Sequence, residues 1–155
     1  MKKWFFALLV STFLVGCDSN EVGDVSLGMF TTKDIKLNHF KDPIITGVTC
    51  HVASIEANLS LSDPSDSSIA CRQTGPITKE MIAKIDMSDS GEVIFKKSKS
   101  VLFKSMKIRR VLDKENQTLM YLAYSTKETS GSFKHSLSTV PLWRTKAYNF
   151  QSIEN

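Results

Sequence analysis

Three runs between residues 93 and 125 constrain the fold most. Val93 to Lys96, Val101 to Leu112 and Leu119 to Ser125 are rich in branched and aromatic residues and lack helical periodicity. Such residues favour a pleated backbone. Asp113-Lys114-Glu115-Asn116-Gln117 has the composition of a hairpin turn between the last two runs. Leu119, Tyr121 and Ala123 alternate with Met120, Leu122 and Tyr124. With both faces apolar, this run is predicted to be a central strand covered on two sides.

The first half repeats the pattern more weakly. Val25 to Phe30 and Ile35 to Phe40 are candidate strands, the second ended by Asp42-Pro43. Gly47 to Ile55 is a third, with Val48, Cys50 and Val52 on one face and Thr49 and His51 on the other. Asp63-Pro64-Ser65-Asp66 is loop composition, which makes its carboxylates turn formers rather than a catalytic pair. Ile69 to Thr74 is a short strand that brings Cys71 back toward Cys50, and Gly75-Pro76 ends it. Thr78 is a candidate N-cap for a short helix whose apolar face is Met81, Ile82 and Ile85. After Thr126, a Ser/Gly/Lys loop leads to Leu137, Val140-Pro141 and Trp143. The predicted fold is therefore mainly β, or α+β: one small sandwich or open barrel with one short helix and one disulfide. A chain of 155 residues is long enough for one such core.

Residues 1–16 are expected to be an export signal and not part of the fold. Lys2 and Lys3 precede an apolar run from Trp4 to Val15, too short for a stable span, and Gly16 is a small cleavage-site residue. Leu14-Val15-Gly16-Cys17 resembles the lipobox of bacterial lipoproteins. That resemblance implies cleavage between Gly16 and Cys17, a diacylglycerol on the Cys17 thiol and acylation of the new amino group. Each buried methylene contributes about 0.8 kcal/mol, so several chains make the attachment effectively permanent. Asp18 resembles the signal that retains enteric lipoproteins in the inner membrane. The expected location is the periplasmic side of that membrane rather than the outer one, with 17–24 as a polar tether.

Cys17 thus leaves two of the three cysteines, Cys50 and Cys71. In an oxidising compartment they are expected to form a structural disulfide. A bridge over this interval constrains the unfolded chain by about 3 kcal/mol. A redox pair and a metal site remain as alternatives. The first lacks a Cys-x-x-Cys spacing, and Cys50 and His51 would point to opposite faces of a strand. No metal or other cofactor is assigned.

The formal charge of +4 conceals two opposite halves. Residues 17–90 hold six Lys/Arg and eleven Asp/Glu, a net −5; residues 91–155 hold twelve and five, a net +7. Lys96, Lys97, Lys99, Lys104, Lys107, Arg109 and Arg110 form the basic concentration, with Phe95 and Phe103 among them. Export argues against nucleic acid as the partner. Three readings follow: solvated strand edges, where lysine blocks edge pairing, a surface for anionic lipid or another polyanion, or contact with a protein partner. The histidines His39, His51 and His135 belong to no hydrolase, metalloprotease or nucleotide-binding motif. No catalytic residue is assigned.

Several blocks resemble the CreA family of small exported bacterial proteins. They are Gly91-Glu92-Val93-Ile94-Phe95-Lys96-Lys97, Val101-Leu102-Phe103-Lys104-Ser105 and Tyr121-Leu122-Ala123-Tyr124-Ser125. Asp42-Pro43, Val48-Thr49-Cys50, Cys71, Gly75-Pro76-Ile77 and Ser138-Thr139-Val140-Pro141 agree in the same order. The resemblance covers about residues 22–144, and a domain is expected over 25–144 with a tail at 145–155. It implies that Cys50 and Cys71 are the family's pair, and it suggests no transcription regulator. The lipobox and the extension past Trp143 depart from a simple secreted member. The expected function is non-enzymatic binding of a small ligand or an envelope protein partner. An enzyme of unrecognised type and an anionic-surface binder are the alternatives. A deep pocket with convergent charges would favour ligand or enzyme; a shallow apolar patch would favour a protein partner.

Overall fold

A computed structural model describes residues 20–28, 33–57, 67–99, 104–126 and 134–149. Its strands form two antiparallel sheets, each a meander in chain order. The first contains β1 (Glu21–Ser26), β2 (Lys33–Lys41), β3 (Val48–Ala57) and β4 (Ser67–Gln73). A single turn of helix, α1 (Lys79–Ile82), leads to the second: β5 (Glu92–Lys99), β6 (Lys104–Asp113), β7 (Thr118–Ser125) and β8 (His135–Pro141). The fold is mainly β, two facing sheets rather than a closed barrel.

Alternation decides what each sheet buries. From the first sheet, Phe40, Val48, Cys50, Val52, Ile69 and Cys71 turn inward. Ile108, Leu119, Tyr121, Ala123 and Val140 meet them from the second. Phe40 stacks on Phe95 with ring centroids 5.0 Å apart. At the other side β4 lies against β7 and β8, and the Cys71 N–H donates to Ser138 Oγ at 2.8 Å. Thr78 caps α1 by accepting from Met81 N, and Ile77, Met81, Ile82 and Ile85 join the core.

Cys50 and Cys71 are direct cross-strand partners and form a disulfide. The Cys71 N–H is committed to Ser138, so it faces away from β3. In such pairs the side chains approach most closely, and both cysteines are buried.

Two glycines are required by contact. A Cβ on Gly47 would lie 2.1 Å from Pro76 O, because Gly47 O accepts from Thr74 N and Gly75 N where two loops cross. Gly91 has φ +58, and a Cβ there would lie 2.0 Å from Arg110 O.

The structure departs from the sequence reading in three places. Residues 21–24, expected as tether, lie in β1; an edge strand needs no apolar face of its own, so its polar composition was misleading. β8 was not anticipated, because Ser136, Ser138 and Thr139 hide its alternation. β7 lies between β6 and β8, yet only its Leu119, Tyr121 and Ala123 face is buried. Met120, Leu122 and Tyr124 are half-buried, beside cross-strand neighbours such as Lys107, Arg109 and Leu137 whose stems cover apolar surface. The segment after Thr145, whose order the sequence leaves open, begins folded. Ala147 is buried, and Gln117 exchanges hydrogen bonds with the Asn149 backbone at 2.6 Å in both directions.

Candidate functional site

The site begins with a cation in the wrong place for a surface. On β6, Met106, Ile108 and Arg110 share a parity, and they face inward while Lys107 and Arg109 face outward. Arg110 is 1% exposed. Its guanidinium donates from Nη1 to Asp42 Oδ1 and from Nη2 to Glu92 Oε1. Asp42, fully buried at the end of β2, also accepts from Ile44 N at 2.9 Å and Ile45 N at 2.8 Å. Its second oxygen accepts from the Tyr121 hydroxyl at 2.9 Å.

Four donors therefore satisfy one carboxylate, and the loop after β2 is tied to β6 and β7. Burial first, and the Asp42 charge second, push the Tyr121 hydroxyl far above the usual phenol range, so it stays a donor. Asp42, Arg110 and Tyr121 are buried and bonded to one another, so this cluster holds the sheets in place, while Glu92 reaches the surface with 34% of its side chain exposed.

Elsewhere a cleft opens between β2 and β3 of the first sheet and β5 and β6 of the second. Its volume is about 210 Å³, and Phe40, Val52, Phe95 and Met106 form its apolar lining. Asn20, Asn38 and Ser54 add polar groups, and His39 borders the cleft; the His39 imidazole lies on the opposite face of the sheet beside His51, its Nδ1 buried without a hydrogen-bond partner. The cleft exceeds many-fold the roughly 10–15 Å³ that one water requires. It suits a small molecule with an apolar part for the Phe40–Phe95 stack and hydrogen-bonding groups for the amides. A second, shallower trough of about 320 Å³ lies between Arg72 and the exposed Trp143.

The structure divides the basic residues named from sequence. Arg110 must be removed from the surface set, since it is consumed inside the core. Arg109 is half-buried, and its Nη1 donates to the backbone oxygens of Ser90 and Gly91 at 2.7 and 3.0 Å. Lys96 and Lys107 are direct cross-strand partners on the outer face of the second sheet. The side chains of Lys97, Lys99 and Lys104 lie outside the described residues, as do Gly16, Cys17, Asp18, Asp63 and Asp66. His39 and His51 are cross-strand partners with ring centroids 6.4 Å apart; His135 lies on the other sheet.

Sequence reasoning missed Asp42, Glu92 and Tyr121. The usable signal was Arg110 itself: a cation sharing a strand face with Met106 and Ile108 calls for a buried carboxylate.

No solved structure matches this chain. A family model described as "CreA protein" matches residues 22–145. Proteins called "Protein CreA" from Escherichia coli strains K12, O6:H1 (CFT073) and O157:H7 are each 41% identical over 158 residues, covering 93% of this chain and 99% of theirs. On the extent of that match, the chain belongs to the CreA family.

Proposed function

We propose that this CreA-family chain is a non-enzymatic binding lipoprotein of the bacterial envelope. The leader is removed before Cys17, which carries the acyl chains, and Asp18 keeps the protein at the periplasmic face of the inner membrane. The domain binds a small amphipathic molecule in the cleft beside Phe40 and Phe95. The observation that carries the binding reading is the cleft itself: an apolar lining with amide and hydroxyl groups around it. The lipobox and the Cys50–Cys71 disulfide support export.

The test is native mass spectrometry of the mature protein, gently extracted from membranes and offered fractionated envelope small molecules. The protein is expected to retain a bound small molecule unchanged. Met106→Trp, which fills the cleft, is expected to lose it. Absence of any bound molecule, or equal retention by Met106→Trp, would refute cleft binding. Conversion of the bound molecule would point instead to an enzyme.

A further inference from the structure

The outer face of the first sheet has a composition that the charge total of its half conceals. Strand parity places Val25, Ile35, Leu37, His39, Lys41, Thr49, His51, Ala53, Ile55, Ser68, Ala70 and Arg72 opposite the core-facing set. Among the described side chains of this face there is no carboxylate. The acids of this half lie elsewhere: Asp42 is inside the clamp, and Glu21 and Asp24 pair with Lys36 on the other face.

The face is also graded. One end is apolar: Val25 is 50% and Leu37 37% exposed, beside half-buried Ile35 and Ile55. Val22 on the same edge strand and Leu27 just after it are exposed as well. The other end carries exposed His51, Lys41 and Arg72. Six residues separate the two end rows, about 20 Å at strand rise. Exposed apolar side chains along an edge strand are a surface that proteins normally cover.

Chain geometry says what lies near. β1 begins at Glu21, four residues after Cys17. Fully extended, that interval spans at most about 14 Å, less than the length of the face. An acylated Cys17 would therefore hold this face within reach of the lipid headgroups.

From the carboxylate-free, apolar-to-cationic grading and the four-residue interval, we infer that the outer face of β1–β4 lies on the anionic membrane surface, with Val25 and Leu37 at the acyl boundary and Lys41 and Arg72 on headgroup phosphates. This rests on the proposed anchor at Cys17 and adds an orientation to it. The basic second half is then turned away from the bilayer.

Hydroxyl-radical oxidation of the mature lipidated protein tests the orientation. It would be run in detergent, in phosphatidylcholine vesicles and in vesicles containing phosphatidylglycerol. Oxidation of Val25, Leu37 and His51 should slow several-fold in the anionic vesicles, with Val93, Leu137 and Trp143 unchanged. The effect should weaken in 1 M salt, where screening acts within about 3 Å. Paired Val25→Asp and Leu37→Asp changes, at exposed sites that leave the core untouched, should abolish protection at His51.

Acylated Cys17 with unprotected Val25 and Leu37 overturns this inference alone, whereas unacylated Cys17 overturns the anchor and this inference together. Protection of Leu137 and Val93 instead would show that the opposite sheet faces the bilayer. Protection that tracks protein concentration at constant lipid would make the occupant a second copy. Either of those results refutes the proposed orientation.

Discussion

Breaking the Asp42–Arg110 pair should cost more stability than any exposed ion pair in the molecule. Arg110→Met removes the guanidinium and leaves Asp42, 0% exposed, with three of its four donors: Ile44 N, Ile45 N and the Tyr121 hydroxyl. Asp42→Asn leaves the Arg110 guanidinium, 1% exposed, with only the half-exposed Glu92 carboxylate. Removing one partner of a buried pair typically costs about 3–5 kcal/mol, because the other charge cannot regain its water. The three remaining donors place Arg110→Met at the lower end, about 3 kcal/mol, and Asp42→Asn above it. Lys36→Met breaks a pair whose side chains are 24% and 38% exposed, and should cost no more than about 1 kcal/mol. Equilibrium urea unfolding followed by Trp143 fluorescence measures all three. For a urea slope of about 1.5 kcal/mol/M, a 3 kcal/mol loss lowers the midpoint by about 2 M. In the double-mutant cycle, the Asp42→Asn/Arg110→Met variant should fall short of the summed losses by at least about 1 kcal/mol. Single losses no larger than that of Lys36→Met, or strict additivity, would refute the clamp.

Three further predictions follow from other parts of the fold. Replacing both Cys50 and Cys71 by serine opens a loop with a separation of 21 residues; stability should drop by about 2–5 kcal/mol, and non-reducing peptide mapping of the native protein should find the two cysteines linked. The Tyr121 phenol is held above its ordinary value by burial and by Asp42. Its stabilising contribution is therefore complete below the unfolded phenol's value of about 10 and declines as pH rises beyond it. Absorbance near phenolate wavelengths should show a step coincident with alkaline unfolding that disappears in Tyr121→Phe. Gly47→Ala drives a methyl into Pro76 O and should cost about 1–3 kcal/mol by thermal denaturation; an unchanged melting temperature would show that the loop crossing is looser than described.

Much of the sandwich was legible because its core strands alternate strongly. Val48, Cys50 and Val52 announced a buried face, and Thr78 announced the helix start that it caps. The failures share a physical cause: local composition does not report distant partners. Arg110 looked like one more cation in a basic run, since Asp42 lies 68 residues away in sequence. β8 buries Val140 but spends Ser138 on the Cys71 N–H, so a residue essential to the sheet junction read as loop. The first four residues of β1 read as tether because Glu21 and Asp24 make them polar, and those charges pair with Lys36 of the next strand. The net −5 of residues 17–90 pointed away from an anionic surface. Only strand parity separates the acids of β1 and β2 from the outer face of that sheet. The cleft was not legible at all, because it is made by the distance between two sheets and not by any motif.

Everything proposed for the envelope rests on an acylated Cys17. Intact mass spectrometry of the protein extracted from membranes tests it directly. The expected product is a chain beginning at Cys17, heavier than the polypeptide by a diacylglyceryl group and an amide-linked acyl chain. A chain cleaved elsewhere, or one beginning at an unmodified Cys17, would contradict it.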